Sequence, residues 1–524
     1  MYVEPNSTVY LMKNVPLDPT YQHTVLFSSK EQQANTFLGF TTGDLTFVNQ
    51  SYQRHGRGYI KLATNVGNVL NCNYMMFRNY NSETMTYDRW FYAFVTDVEY
   101  VNEATTLIRY EIDIMQTWLF DYSLDPVFVE REHSSTDVAG DNLLDEQLER
   151  GEYVFKDFAP TGLLSTYGIL VFSTYDPDSG EDVTGGYFGK LYTAAKPFYF
   201  DTATAANNFI ASCTAAGKAP DCIVGVSMCP SLYKVTVTTQ GAQPASASIS
   251  YTKNYTSIDG YVPKNKKLFT HPYNFLYVTN LCGSTLELGY EYFSTSNCKI
   301  IVAGTPSLSM DITLTPDKYK GAGSIDSTQP WTGNTNEMMA LSDFPLCCYS
   351  VDAFNAWFAQ NKGSYITGKV TQALGTIAAG VTAGPKGALT TGVSLFNEVL
   401  STIGELRDKS VQPPNVTGTP AASSIFGCNC MDFWVGHVTI QAQFAKIIDQ
   451  YWSKFGYPCR RIKVPNRNAR ANWNYVKTKG CEFTGSIPAS DAEAIKAIYD
   501  NGVTFWNDIN NVGKYGDFTN PINA

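Results

Sequence analysis

The sequence predicts a mainly β fold with some α, together with one mobile apolar helical hairpin. Three observations carry this. The stretch Trp90 to Trp118 alternates apolar and polar residues through two long runs, the signature of paired strands. Tyr (34) and Phe (30) are abundant, and aromatic side chains favour pleated surfaces. From Gly363 to Glu405 the period changes to steps of three and four, as on a helix face, with Gly384-Pro385-Lys386-Gly387 breaking the run into two arms.

The chain has 524 residues, which suggests two to four domains. Hydrophobic residues make up 44%, enough for substantial cores, whereas charged residues at 16% fall below the usual quarter. The net charge of −10 argues against a dedicated nucleic-acid binder, yet it allows a channel through which nucleic acid slides without sticking. The start, MYVEPNSTVY, lacks a basic region and an apolar run, so no secretory signal is expected. The twelve cysteines follow no Cys-x-x-Cys spacing, and no histidine completes a zinc pattern beside Cys347-Cys348 or Cys428-Asn429-Cys430. Buried free thiols in a chain made in a reducing cytoplasm are expected, with no metal and no cofactor.

In order along the chain, Val9-Tyr10-Leu11, Val25-Leu26-Phe27 and Tyr59-Ile60-Lys61-Leu62 read as strands. In the long hairpin Phe91, Ala93, Val95 and Asp97 face one way and Tyr92, Phe94, Thr96 and Val98 the other, with a turn at Asn102-Glu103. On the return Thr106, Ile108, Tyr110, Ile112 and Ile114 alternate with Leu107, Arg109, Glu111 and Asp113. Glu111 and Asp113 thus become candidates for a water-filled lining. Residues 134–151 are acidic and read as irregular or partly helical. Gly168 to Phe172 is a buried strand, and 175–186 a polar loop at a candidate boundary. More strands are expected from Tyr277 to Thr315, then a short amphipathic helix from Val351 to Asn361. Residues 410–427 are a Pro/Ser/Thr linker. His437 to Phe455 reads as a helix, and Ser490-Asp491-Ala492-Glu493 has the form of a capping box before a helix that stops at Gly502.

The apolar hairpin has stripes on both arms. The first carries Ile366, Val370, Leu374, Ile377 and Val381, the second Leu389, Val393, Phe396, Leu400 and Ile403. Between Val370 and Asn397 the one formal charge is Lys386. Gly380 and Gly384 permit close backbone approach, and Gly384, Pro385 and Gly387 make the turn. Each helical glycine costs about 1 kcal/mol relative to Ala, so the segment needs a partner on both faces. It is either a hairpin buried in its own domain or a metastable one that enters a bilayer. Each arm is shorter than the roughly 20 residues of a spanning helix, so insertion would need several copies or extended arms.

A basic run follows: Lys454, Arg460, Arg461, Lys463, Arg467, Arg470, Lys477 and Lys479, with no acid between its ends. It has the look of a nucleic-acid patch, but a fixed basic lining would grip phosphates in a salt-dependent way. The preferred reading in so acidic a chain is a subunit interface, with Arg460, Arg461, Lys463, Arg467 and Arg470 as its candidates. Catalysis has little support. G-x-S-x-G, H-E-x-x-H and phosphate-loop patterns are all missing from the sequence, and no catalytic residue is assigned. Glu111 and Asp113 have a spacing that would suit glycoside hydrolysis, as would any acidic strand. His133 reads as a hydrogen-bonded strand-end residue.

Several local runs resemble one family. Trp90-Phe91-Tyr92-Ala93-Phe94-Val95-Thr96, Glu111-Ile112-Asp113, Gln116-Thr117-Trp118 and Arg131-Glu132-His133 look like the tail knob (distal tail tube) proteins of small short-tailed bacteriophages, typified by the Salasmaviridae of Bacillus. Phe455-Gly456-Tyr457, Pro465-Asn466, Lys477 to Cys481 and Asp500-Asn501-Gly502 fit the C-terminal end of that family. The resemblance covers both ends and the middle return from Lys267, and not residues 173–265. It implies a β-rich tail-tube domain built from 1–172, 266–362 and 426–524, an inserted knob domain at 173–265, and a channel-plugging, membrane-active hairpin with its linker at 363–425. It further implies a homo-oligomer, a hexamer as in the family, at the distal end of the virion tail, made in the host cytoplasm. Its partners would be collar or connector proteins, host membrane lipid during ejection, and viral DNA passing without specific binding. The residues alone also fit a soluble pore-forming toxin or a tail-associated wall-degrading enzyme.

Overall fold

The computed structural model describes residues 6–516 except 82, 183–185, 188–190, 193–194, 219–221, 235–244, 282, 305–311, 322–336, 342–347 and 351–431. The expected helix at Val351–Asn361, the hairpin from Ile366 to Ile403 and the linker at 410–427 lie outside the described residues. The described part is mostly strands, and the chain divides into two compact units.

The first unit combines Met1–Glu149, Pro263–Lys267 and Gln443–Ala524. Its six-stranded sheet runs Thr46–Gln50, Ser7–Lys13, Cys72–Arg78, Phe91–Asn102, Thr105–Ile112, Arg57–Leu62. The long hairpin has the expected turn, where Ala104 N–H donates to Asn102 Oδ1. Both faces of the central strands are covered. Met12, Tyr74, Met76, Tyr92 and Phe94 enter one core, with Phe37 from the helix Lys30–Leu38 and with Trp473 and Trp506. Their sequence neighbours Leu11, Met75, Phe77 and Ala93 enter another, with Ile60, Ile108 and Tyr110. Period-two alternation here sorts residues between two apolar cores, which is why successive residues on these strands are all hydrophobic. A five-stranded sheet follows, in the order Thr24–Val25, Val503–Trp506, Trp473–Lys479, Val127–Glu132, Tyr457–Lys463. Stretches from both ends of the chain therefore build one unit.

The second unit holds Arg150–Val262 and Leu268–Ala442. Three four-stranded sheets make it: Tyr153–Pro160, Trp434–Ile440, Asn274–Thr279, Thr285–Gly289; Lys196–Phe200, Tyr167–Ser173, Ile223–Pro230, Cys348–Ser350; and Ala245–Thr252, Asn297–Gly304, Ile312–Pro316, Met339–Leu341. They share one core, with Val171, Phe209 and Val226 packed in the same cluster as Leu276, Ile300, Leu314 and Val435. This differs from the expected boundaries at 172/173 and 265/266. The strand Tyr167–Ser173 is the middle strand between Lys196–Phe200 and Ile223–Pro230, so a cut after 172 would split a sheet. The described residues between Leu268 and Ser350 likewise go with the second unit, where Ile300 and Leu314 share a core with Val171 and Val226.

Two other expectations change. His437 lies in the strand Trp434–Ile440, and the helix is Ala442–Phe455. Val435, Val438 and Ile440 are all buried, because this strand fills the gap between Tyr153–Pro160 and Asn274–Thr279. The Ser490 capping box does not form. The helix Ala489–Asn501 has Pro488 at its N-cap, and Ser490 Oγ donates to Asp491 Oδ1 at 3.2 Å. At the other end Gly502 is the C-cap with φ +99°, a backbone conformation that suits glycine.

Candidate functional site

The first unit contains a buried polar hub built from four distant stretches. Glu146 comes from the acidic 134–151 segment. It faces the Arg131 guanidinium, the Lys267 amine at 3.3 Å and the Trp452 indole N–H at 2.7 Å. The side chains of Glu146 and Lys267 are only 6% and 3% exposed. Lys267 also donates to the Leu144 carbonyl at 2.6 Å. Burial, together with the like charge of Arg131 beside it, pushes the Lys267 amine down to about 7. Asp449 fixes the crossing chain beside it, accepting from the backbone N–H of Lys264 and Asn265, each at 2.9 Å. Asp137 accepts from Lys266 N–H at 3.0 Å and from Tyr457 O–H at 2.8 Å. His133 is neutral and structural. Its Nδ1 accepts from Tyr475 N–H at 2.8 Å, its Nε2 lies 3.1 Å from the Ser453 carbonyl, and burial holds its pKa well below the usual value. Every charge in this hub is satisfied by hydrogen bonding, as a buried charge must be.

Among the described residues the strand Tyr457–Lys463 ends the five-stranded sheet, with a ladder only to Val127–Glu132. A register shift between Val129 and Arg131 and φ +46° at Arg460 bend it. Arg460 and Arg461 are exposed there, next to Ile462 (73% exposed) and Val464. Ile462 stands opposite the exposed Phe128 in register. A free edge with an apolar centre and cationic flanks is adhesive unless another chain covers it.

Four other cations of the run are already engaged. Lys463 pairs with Glu132, and Lys477 Nζ lies 3.0 Å from Glu130. Arg467 sits over the Tyr122 ring at 5.6 Å. Arg470 is 3% exposed, with its guanidinium 3.3 Å from Asn265 Oδ1. The expected interface set is corrected accordingly: Arg467 and Arg470 turn inward because the following strand, Trp473–Lys479, carries them over the core.

The acidic candidates also separate. Glu111 stays at the surface of the hairpin, paired with Arg57 at 3.1 Å, while Glu99 pairs with Arg109 across the same strands. That face is laced with both signs and is not acidic. Asp113 does not line water. The strand ends at Ile112, and Asp113 is the buried N-cap of Ile114–Thr117, accepting from Gln116 N–H at 3.0 Å and from Tyr74 O–H at 2.9 Å. A two-carboxylate hydrolytic site at Glu111 and Asp113 is therefore excluded by burial of one partner. Burial raises the Asp113 carboxyl to about 7. Its folded pKa thus exceeds the unfolded one, the native state holds the proton more tightly, and stability falls as pH rises from about 4 to 7. Asp113→Asn keeps the acceptor for the cap and should flatten that fall, an effect on the order of 3 kcal/mol by linkage. Urea midpoints at pH 4.5 and 7.5 for both proteins measure it; parallel pH profiles would refute it.

Residues 238–518 match a family described as "Bacillus phage phi29, Tail knob protein gp9, C-terminal domain", more than half of the chain. The chain belongs to this tail knob family. It is a phage tail protein of the virion. Residues 5–123, all in the first unit, also match "Caudoviral major tail protein N-terminus". Among its tail knob relatives are gp9 of Bacillus phage B103, 23% identical with 99% of each chain covered, and gp9 of Bacillus phages PZA and phi29, each 24% identical with 98% of each chain covered. The tail knob protein gp12 of bacteriophage C1 has the same fold, with a TM-score of 0.59 at 13% identity over 96% of this chain and 97% of that one.

For this tail knob family member, sequence reading located the basic edge but missed the hub. Glu146 lay in a stretch read as irregular, and Lys267 was noted only as the start of the return segment. No local signal marks either place: the acidic stretch at 134–151 has no aromatic residue, and the basic stretch at Lys264–Lys267 has no acid beside it. Among the described residues no helix is long and apolar enough to cross a membrane, and no cluster of potential metal ligands occurs.

Proposed function

We propose that the protein is a structural subunit of the distal tail knob of a short-tailed phage, and that copies close into a ring, a hexamer, around the path of the DNA. The observation that carries this reading is the end-to-end match to tail knob proteins, with 98–99% of both chains covered. The tail-protein match at residues 5–123 supports assigning the first unit to the tube wall. The hairpin face with Glu99, Glu111, Arg57 and Arg109 is the proposed lining, because balanced exposed pairs offer passing phosphates no net attraction. Arg460 and Arg461 on the free edge strand are the proposed subunit contact, and Glu111 replaces the Glu111/Asp113 pair as the lining residue. The apolar arms from Ile366 to Ile403 are proposed to plug the channel and then enter the host membrane as DNA is ejected.

Electron microscopy of the purified protein tests the ring directly, with six-fold rings expected. Arg460→Glu combined with Arg461→Glu should shift the protein to monomers with an unchanged circular dichroism spectrum. Rings that persist in that variant would remove the edge strand from the interface. A wild type that stays monomeric at high concentration would overturn the ring itself.

A further inference from the structure

The second unit holds two buried thiols, Cys213 and Cys222, at the two ends of one short loop and in one core cluster. Cys213 lies near the end of the helix Ala203–Ala215, and Cys222 directly precedes the strand Ile223–Pro230. Both are fully reduced and buried. Lys218 ties their backbones together: its N–H donates to the Cys213 carbonyl at 3.0 Å, and its carbonyl accepts from Cys222 N–H at 3.1 Å. The Cys222 carbonyl in turn accepts from Thr174 N–H at 2.8 Å, anchoring it to the end of the central strand. The Cys213 thiol is within hydrogen-bonding reach of the Cys222 thiol and of Ser173. By contrast, Cys229 of the same core directs its thiol to the Pro230 carbonyl at 3.6 Å.

We infer that Cys213 and Cys222 form a redox-sensitive site, reduced during synthesis and joined as an intramolecular disulfide once a low-molecular-weight disulfide oxidant is present. The Cys222 thiolate attacks the oxidant, cleaving its S–S bond and releasing one small thiolate. The Cys213 thiolate then attacks the mixed disulfide and displaces the second. The two protein thiols are oxidised, the oxidant is reduced to two thiols, and the protons given up by the cysteines end on the leaving groups. The neighbouring thiol and burial raise the Cys213 pKa, so thiolate is scarce and the pair stays reduced in a cytoplasm. The Lys218 hydrogen bonds already hold the two backbones together, so the sulfurs close on each other by side-chain rotation rather than by a backbone rearrangement. The product clamps the helix to the strand and closes the 213–222 loop covalently.

The test treats the folded full-length protein with oxidised glutathione, alkylates it after denaturation and maps its peptides. A cross-linked peptide joining Cys213 and Cys222, lighter by two hydrogens, is expected, with Cys229 alkylated as a free thiol. Oxidation should raise the melting temperature by about 5 °C, the effect of closing a short loop in the unfolded chain. Cys213→Ser should lose both the cross-link and the shift, and should carry a glutathione adduct at Cys222. Free thiols or single adducts at 213 and 222 in oxidised wild type would overturn the inference. So would a cross-link that leaves the melting temperature unchanged.

Discussion

Glu146→Gln is expected to lower the unfolding free energy of the first unit by about 3–5 kcal/mol, the usual cost of removing one partner from a buried ion pair. Glutamine nearly preserves the shape and can still accept from the Trp452 indole. What it removes is the carboxylate that pairs with both Arg131 and Lys267. Arg131 cannot shed its proton, so its guanidinium would remain buried beside a neutral amide. Lys267 can respond, because its amine already sits near 7. Its folded pKa is below the unfolded value, so the unfolded chain binds more protons between about 7 and 10.5. Stability from this group therefore rises with pH through that window and is lost as pH falls through 7. Lys267→Met should remove the rise while keeping the packing against Trp452 and Tyr457. Urea unfolding of wild type and both variants between pH 6 and 9 measures these terms. A Glu146→Gln midpoint equal to that of wild type would show that the hub does not hold the unit together.

Leu374→Asp should abolish dye release from liposomes while leaving rings intact. The proposal that the hairpin is the membrane-active part rests on its pattern: two apolar stripes, and the single formal charge Lys386 between Val370 and Asn397. A charged side chain near the bilayer centre costs about 2.5–3.5 kcal/mol per copy, and the cost is repeated in each copy of a ring. On this proposal the hairpin acts apart from the cores of the two units, so the fold should not register the change. Deleting 363–405 should act in the same way. Equal leakage from wild type, the point variant and the deletion would show that another part of the chain meets the membrane.

The long hairpin was legible because its signal is local. Strict alternation from Phe91 to Ile112 specifies strands whatever lies on either side, and the turn at Asn102 follows from its own side chain. The same alternation misled at Asp113, since continuing the pattern one step too far turned a buried helix cap into a surface carboxylate. His437 was misread for a related reason. Val438 and Ala442 fit a helical stripe, but the sheet between Tyr153–Pro160 and Asn274–Thr279 needed a strand, and tertiary demand outweighs short-range periodicity. The basic run was visible as composition. Which of its charges point outward was not, because Arg460 and Arg470 differ only in what packs above them.

Taken alone, the sequence determined the β class and the family resemblance. These depend on residue type, period and local motif, which are properties of the chain itself. Tertiary structure decided the unit boundaries, the inward turn of Arg467 and Arg470, and the meeting of Arg131, Glu146, Lys267 and Asp449. A boundary is set by which strands share a core, as Val171 and Leu314 do. A buried charge is tolerated only where its partner arrives from elsewhere in the chain, and Glu146 meets Lys267 across 121 positions of sequence. No local pattern encodes that encounter, because desolvation and Coulomb attraction act through space, between groups that only folding brings together.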